Sequence, residues 1–174
     1  MSNVIRVVGL KAGIFVGVVD VMKGWLATAW LPTLIIGNGA VTDITLLRIA
    51  AGTAAVLGHT YTIFARFRGG KGIATLAGMM TALHPGAVMI CLVIFSVTFG
   101  IWGYVSLSSM TAAITLPLSV FLLPSAGLPP APQPLVIFSL VVPFFVFFTH
   151  RDNIARLHQG TEKRFDKALL FGRK

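Results

Sequence analysis

Charged residues are scarce in this chain: Asp, Glu, Lys and Arg together make up 11% of its 174 residues, against about 25% in soluble domains. None of these four occurs between Lys71 and Arg151, and the side chains in that stretch that titrate near neutrality are His84 and His150. A helix needs about 20 apolar residues to cross a bilayer. The composition therefore excludes a soluble globular protein, and the charge-free stretch must cross a membrane repeatedly.

Acidic residues and cysteine are rarer still. The chain has 5 Asp and Glu against 14 Lys and Arg, a net charge of +9. In a membrane protein this excess predicts cytoplasmic flanks and a site for anionic substrates, and we expect no nucleic-acid partner. One cysteine cannot form an intrachain disulfide, and four scattered histidines lack metal-ligand spacing, so we predict no metal site.

Breaks at glycine, proline and charged residues predict an all-α membrane bundle within a single domain, 1–174, that ends in a basic tail, 151–174. Its six apolar segments are 12–36, 43–65, 71–83, 86–102, 104–123 and 133–150. Segment 71–83 rises only about 20 Å, too little for a hydrocarbon core of about 30 Å. The His84-Pro85 pair predicts that this short helix forms a hairpin with 86–102.

Lys and Arg concentrate before the first segment, between the second and third, and after the last. The positive-inside rule predicts that all three regions are cytoplasmic. Two membrane crossings join Lys11 to Arg66. Because Lys71 and Arg151 are also on the same side of the membrane, an even number of crossings must join them. Parity therefore favours six segments, with both termini on the cytoplasmic side.

Two acid–base pairs lie in or beside the first two segments. Asp20 and Lys23 share one helix face, which predicts an ion pair that either stabilises the bundle or supports a substrate site. Asp43 and Arg48 flank the start of the second segment, where an arginine typically extends to the membrane interface.

The most specific cluster runs from Gly58 to Gly72. It places His59, Arg68 and Lys71 beside a turn of three glycines that leads into the short helix. Successive backbone N–H groups, a helix N-terminus and a lysine favour anion binding, which predicts a phosphate site at one membrane face.

A second polar cluster follows the last apolar segment. If that helix continues, His150, Asn153 and Arg156 lie at three-residue intervals on one face. Ser106, at the start of the fifth segment, is a further candidate for substrate contact, and Glu162 is expected to pair with an arginine.

These segments resemble the PlsY family, the bacterial acyl-phosphate:glycerol-3-phosphate acyltransferases, over nearly the whole chain. The matching motifs are Asn3–Arg6, Asp20–Gly24, Gly58–Thr75, Gly103–Leu107 and His150–Glu162. Family members begin with another transmembrane helix before the Asn-x-x-Arg motif, so we expect that first family helix to be missing from this sequence. Tyr61-Thr62 stands where Phe-Pro is usual, and Arg68 where Lys is common.

The resemblance implies transfer of an acyl group from acyl phosphate to the 1-hydroxyl of glycerol 3-phosphate, giving lysophosphatidic acid and phosphate. It also implies no cofactor and a multi-pass protein of the bacterial inner membrane with a cytoplasmic active face; we expect a monomer. We assign catalytic roles to His59, Lys71, His150 and Asn153, substrate contacts to Asn3, Arg6, Arg68, Gly69, Gly70, Gly72, Ser106 and Arg156, and supporting roles to Asp20, Lys23 and Glu162.

The base that accepts the hydroxyl proton stays open at this level. His59 and His150 are candidates because histidine titrates near neutrality, and a substrate phosphate is the third. A transporter for a small organic phosphate is the main alternative, although it needs polar groups near the membrane midplane. A second alternative is an inactive fragment of the acyltransferase.

Overall fold

The computed structural model describes residues 2–36, 43–127 and 129–165, and within these ranges the regular secondary structure is helical, with no β-strand. The α-helices are α1 (Ser2–Val7), α2 (Leu10–Ala29), α3 (Leu31–Ile36), α4 (Ile44–Thr60), α5 (Ile73–Leu83), α6 (Pro85–Trp102), α7 (Val105–Leu122), α8 (Gln133–Thr149) and α9 (Arg151–His158). The all-α prediction is confirmed. Residues 37–42, between the first two predicted segments, and the tail from 166 onward lie outside the described residues.

Within the described ranges, three helical stretches are long and apolar enough to cross a membrane: Leu10–Leu34, α6 and α7. The pair of α8 and α9 makes a fourth if it counts as one span, with a bend of 61° between the two. Helix α4 has 17 residues and α5 has 11, which correspond to about 26 Å and about 16 Å. The prediction that the third segment is too short to cross is thus confirmed, as is the break at His84.

Three predicted segments differ from the helices that the structure shows. Segment 12–36 divides at Trp30 into α2 and α3, because Pro32 has no N–H to bond the carbonyl of Thr28 and so interrupts the ladder. Segment 43–65 is helical only to Thr60. The short helix begins at Ile73 instead of residue 71, since Gly72 adopts the left-handed conformation (φ 77°) at its N-cap.

The chain comprises two compact units, Met1–Pro85 with Pro132–Leu135, and Gly86–Ala131 with Val136–Lys174. In the first, α2 packs closely on α5. A Cβ at Gly24 would collide with the Thr75 carbonyl, and one at Gly78 with the Val21 carbonyl. Small residues are what allow membrane helices to approach at backbone distance.

Arg48 joins three helices of this first unit. Its Nε donates to the carbonyl of Thr28 at 3.2 Å and its Nη2 to that of Ala82 at 2.9 Å. Both carbonyls lie in last helical turns, where no N–H of the same helix reaches them. That Arg48 extends to the membrane interface stays a prediction, and the structure adds that its guanidinium bonds the ends of two neighbouring helices. Asp43 instead caps α4, because its carboxylate accepts the backbone N–H of Thr45 at 2.8 Å.

In the second unit, α6 and α7 are joined by the hydroxyls of Thr98 and Thr111, 3.2 Å apart. The segment after α9 returns along their connection: Arg164 Nε donates to the Trp102 carbonyl at 2.9 Å, and Phe165 N to the Gly103 carbonyl at 2.9 Å. These contacts fix the end of the described chain against the start of α7.

Candidate active site

The glycine-rich loop after α4 folds back onto the end of that helix. The backbone N–H of Gly69 donates to the Thr60 carbonyl at 3.0 Å, and that of Gly70 to the His59 carbonyl at 3.2 Å. A Cβ at residue 69 would collide with both carbonyl groups, which explains the glycine. In this structure both N–H groups already bond the C-terminal carbonyls of α4, and substrate contact by Gly69 and Gly70 stays a prediction.

The reversal of the chain occurs at Arg66 and Phe67, which both adopt positive φ angles, 52° and 59°. Two successive left-handed residues other than glycine are rare and cost free energy, and such strain is concentrated at functional sites. The strained turn aligns Arg68 and the following glycines beside His59.

Asp20, Lys23 and His59 form a hydrogen-bonded triad between α2 and α4. Lys23 Nζ lies 2.5 Å from Asp20 Oδ1 and 2.6 Å from His59 Nδ1, and Oδ1 lies 3.2 Å from Nδ1. The Asp20 side chain is 8% exposed and that of Lys23 38%. The predicted Asp20–Lys23 ion pair is confirmed, and its contact with His59 links it to the glycine-rich loop.

A cavity of about 410 Å³ opens beside this triad, and we call it the His59 cavity. It is lined by Lys23, Ala55, Gly58, His59, Thr62, Ala65, Arg68, Gly69 and Gly70. None of these lining residues, all within the described chain, is a carboxylate. With a guanidinium, an amino group and an imidazole in its lining, the His59 cavity suits an anion such as a phosphate.

Five predicted site residues meet at this cavity, whereas four others of the first unit lie elsewhere. Lys71 and Gly72 follow the loop at the start of α5 and are not among the described lining residues. Asn3 and Arg6 are exposed on α1. The sequence grouped Lys71 and Gly72 with His59, and the resemblance implied substrate contacts for Asn3 and Arg6. None of the four is among the described residues that line the His59 cavity.

In the second unit, Glu162 accepts hydrogen bonds from three predicted site residues, and we call this group the Glu162 cluster. Ser106 Oγ donates at 2.8 Å and Asn153 Nδ2 at 2.6 Å to one carboxylate oxygen. Arg156 Nε donates to the other at 2.7 Å. The prediction that Glu162 pairs with an arginine is confirmed, and so is the shared face of Asn153 and Arg156.

The carboxylate of Glu162 is held in its charged form. Burial acts to raise its pKa, but hydrogen bonds from Asn153, Arg156 and Ser106, with the positive charge of Arg156, outweigh it and lower the pKa below the usual range. Asn153 is buried as well. The cluster therefore holds Glu162, in the turn beyond α9, against α9 and the first turn of α7.

His150 lies at the junction of α8 and α9, so the condition for a continuous stripe, that the last helix runs on past residue 150, is not met. The chain bends by 61° there, while the His150 carbonyl accepts the N–H of Asn153 at 2.8 Å. The His150 side chain is buried, with Nδ1 2.8 Å from the Val146 carbonyl. Because of the bend, His150 and Asn153 do not belong to one straight helical stripe.

Sequence reasoning missed the contact between Lys23 and His59, the role of Thr62 in the cavity, and the bonds made by Arg48. Lys23 and His59 are 36 residues apart in the sequence, so no local spacing could reveal their contact. One signal was available: buried charges in a membrane helix usually face partners inside the bundle.

Comparison with known proteins identifies the family. The model of the glycerol-3-phosphate acyltransferase family matches residues 1–160. A glycerol-3-phosphate acyltransferase of Geotalea daltonii is 40% identical over 166 residues, covering 95% of this chain and 79% of that protein. One of Enterococcus faecalis is 40% identical over 171 residues, covering 97% and 76%.

Solved structures agree with this result. The crystal structure of PlsY (YgiH), an integral membrane glycerol 3-phosphate acyltransferase, in its lysophosphatidic acid form, matches with a TM-score of 0.76 and 34% identity, covering 94% of this chain and 78% of the other. Its glycerol 3-phosphate form matches with a TM-score of 0.77 and 32% identity, covering 94% and 76%. The chain therefore belongs to the glycerol-3-phosphate acyltransferase family and shares the fold of an integral membrane protein.

Proposed function

We propose that this chain transfers a fatty acyl group from acyl phosphate to the 1-hydroxyl of glycerol 3-phosphate, releasing lysophosphatidic acid and phosphate. The observation that carries the proposal is the His59 cavity, where Lys23 and Arg68 supply positive charge without a lining carboxylate. Both substrates carry phosphate groups, so a cationic pocket is what binding requires. Relatives named glycerol-3-phosphate acyltransferases support the same reaction.

Positioning and charge stabilisation account for the chemistry on this proposal. Acyl phosphate is already activated, so attack by the hydroxyl needs no covalent enzyme intermediate. Donors fixed in place stabilise charge that develops on the phosphate and on the acyl oxygen. The strained Arg66–Phe67 turn and the bonds of Gly69 and Gly70 hold Arg68 for this role.

The roles of Lys71, Gly72, Asn3 and Arg6 remain proposals, as do those of His150, Asn153, Arg156 and Ser106. Arg156 has further N–H donors besides the one bonded to Glu162, because a guanidinium has five. We also propose that the chain acts as one acyltransferase domain and as a monomer, with a cytoplasmic active face and termini. The basic flanks support that orientation.

The direct test is product formation by the purified chain in lipid vesicles supplied with acyl phosphate and radiolabelled glycerol 3-phosphate. We expect labelled lysophosphatidic acid, and no product when acyl-CoA replaces acyl phosphate. Equal turnover of acyl-CoA would reject the proposed donor. Labelled glycerol 3-phosphate that accumulates inside vesicles without product would support a transporter instead, and neither product nor uptake would indicate an inactive chain.

A further inference from the structure

The two ring nitrogens of His59 have different surroundings, and this decides what the side chain can do. A neutral imidazole has one N–H donor and one acceptor nitrogen, and the partners of one nitrogen set the state of the other. Nδ1 lies in the triad with Asp20 and Lys23. Nε2 lies against Gly70, since a Cβ there would collide with it.

The partner of Nδ1 identifies the tautomer. The ammonium of Lys23 has three N–H donors and no acceptor, and it lies 2.6 Å from Nδ1. A proton on Nδ1 would set two donors against each other at that distance. Asp20 Oδ1, which only accepts, lies farther from Nδ1, at 3.2 Å. The shorter contact with Lys23 therefore favours Nδ1 as the acceptor, with a neutral imidazole and its proton on Nε2.

We propose that Asp20 and Lys23 are positioning residues that hold His59 as the Nε2–H tautomer. His59 then donates a hydrogen bond to a substrate phosphate oxygen and is not the base that removes the hydroxyl proton. The bond between Lys23 and Asp20, 2.5 Å long, fixes the ammonium in place. Glycine at residue 70 leaves room for Nε2–H to reach a ligand. This inference rests on the proposed function only for the identity of the ligand oxygen.

His150 provides the opposite case within the same chain. Its Nδ1 lies 2.8 Å from the Val146 carbonyl, and a carbonyl oxygen only accepts, so Nδ1 carries a proton. A neutral ring in that state has its lone pair on Nε2. The two histidines that the sequence offers equally as bases thus differ: His59 is held as a donor at Nε2, and a neutral His150 is an acceptor there.

Solid-state NMR of the full chain, labelled with ¹⁵N-histidine in lipid bilayers at neutral pH, tests the assignment without any substrate. The chain has four histidines, and spectra of His59→Gln and His150→Gln assign two of them. We expect a protonated Nε2 and an unprotonated Nδ1 for His59, with a protonated Nδ1 for His150. A proton on Nδ1 of His59 would overturn the proposal.

Two substitutions of Lys23 separate positioning from a purely structural role. Lys23→Met removes the donor, so Nδ1 faces only the Asp20 carboxylate and should gain a proton. Lys23→Arg keeps a donor and should keep the parent spectrum. If Lys23→Met lowers the melting temperature but leaves Nδ1 unprotonated, the proposal is wrong. If this variant does not fold, the parent spectrum still decides.

The result is independent of the proposed reaction. A chain that shows the expected protonation but forms no lysophosphatidic acid would support the positioning role and reject the function. A chain that forms lysophosphatidic acid but has Nδ1 of His59 protonated would support the proposed function and reject the positioning role.

Discussion

The His59 cavity and the Glu162 cluster contain similar residues but use them differently. At the cavity, Asp20 pairs with Lys23 behind the lining, and Arg68 adds a second cationic side chain to it. In the Glu162 cluster, one carboxylate accepts bonds from Ser106, Asn153 and Arg156. Its side chain is 7% exposed, and the charges of the pair cancel. The first region leaves cationic side chains on a cavity wall, whereas in the second the carboxylate bonds the chain beyond α9 to α9 and α7.

Removing the centre of the Glu162 cluster should have the largest effect. Glu162→Ala leaves three donors without their acceptor, and the loss of hydrogen bonds to a charged group typically costs about 1.5–3 kcal/mol. We expect the melting temperature in detergent to fall by several degrees, together with activity. Asp152→Ala, which removes an exposed carboxylate from α9, is the matched control. It should change the free energy of unfolding by less than about 0.5 kcal/mol.

The same comparison has a defined pH dependence. The pKa of Glu162 is lowered in the folded state, so its contribution to stability is complete above the unfolded pKa, about 4.3, and is lost as pH falls through the lower folded value. The gap in melting temperature between parent and Glu162→Ala should therefore be constant near neutral pH and narrow below about pH 4. A gap that persists unchanged in acid would show that the carboxylate charge is not what stabilises the cluster.

Charge at the His59 cavity should affect activity more than stability. Arg68→Ala removes one charge-assisted contact to phosphate, worth about 1.5–3 kcal/mol, so we expect kcat/KM for glycerol 3-phosphate or acyl phosphate to fall by about 10- to 100-fold. Arg66→Ala changes an exposed arginine in the same loop that is not among the described lining residues. An equal fall in kcat/KM in both variants would mean that the positive charge of the loop only sets the membrane topology.

Two glycines at the cavity should respond in opposite directions. Gly69→Ala forces a Cβ into the carbonyl groups of His59 and Thr60, and crowding of this kind costs about 1–3 kcal/mol. A Cβ at Gly58, within α4, meets nothing within 4 Å, so Gly58→Ala should raise stability by up to about 1 kcal/mol. Thermal unfolding of the two variants measures both effects, and a destabilised Gly58→Ala would contradict the described packing.

The smallest effect is expected outside both regions. Asp43→Ala removes the side-chain cap of α4, which typically costs about 1 kcal/mol. Asp43→Ser keeps a capping oxygen and should restore most of the loss. Activity at equal folded fraction should stay unchanged in both variants, and a specific loss of rate would link the far end of α4 to the reaction.

The sequence predicted the helices well because apolar runs, prolines and glycines are local signals. The ends of α6, α7 and α8 lie within one residue of their predicted positions. The break at Trp30 was missed although Pro32 was visible, since hydropathy continues across it. The bend at His150 was missed because α9 continues the helical pattern beyond it.

The polar contacts were harder to predict because they depend on how helices rotate against one another. The Asp20–Lys23 pair follows from spacing along one helix, but the rotation of α2 against α4 brings Lys23 to His59. Likewise, nothing near Arg48 in the sequence identifies the Ala82 carbonyl, 34 residues away, as its acceptor. The sequence predicted that backbone N–H groups of the loop bind an anion, whereas in the structure those of Gly69 and Gly70 bond carbonyls at the end of α4.

The bonds of Arg48 bear on the order in which the chain enters a membrane. Helix α5 has 11 residues, too few to cross alone, and its terminal carbonyls cannot remain unsatisfied in lipid. By the time the ribosome has made α5, both α2 and α4 have been synthesised, so the close-packed face of α2 and the guanidinium of Arg48 are available to receive it. Insertion of this helix therefore depends on protein surfaces already in place, and a substitution such as Arg48→Leu should act first on the yield of inserted protein during synthesis.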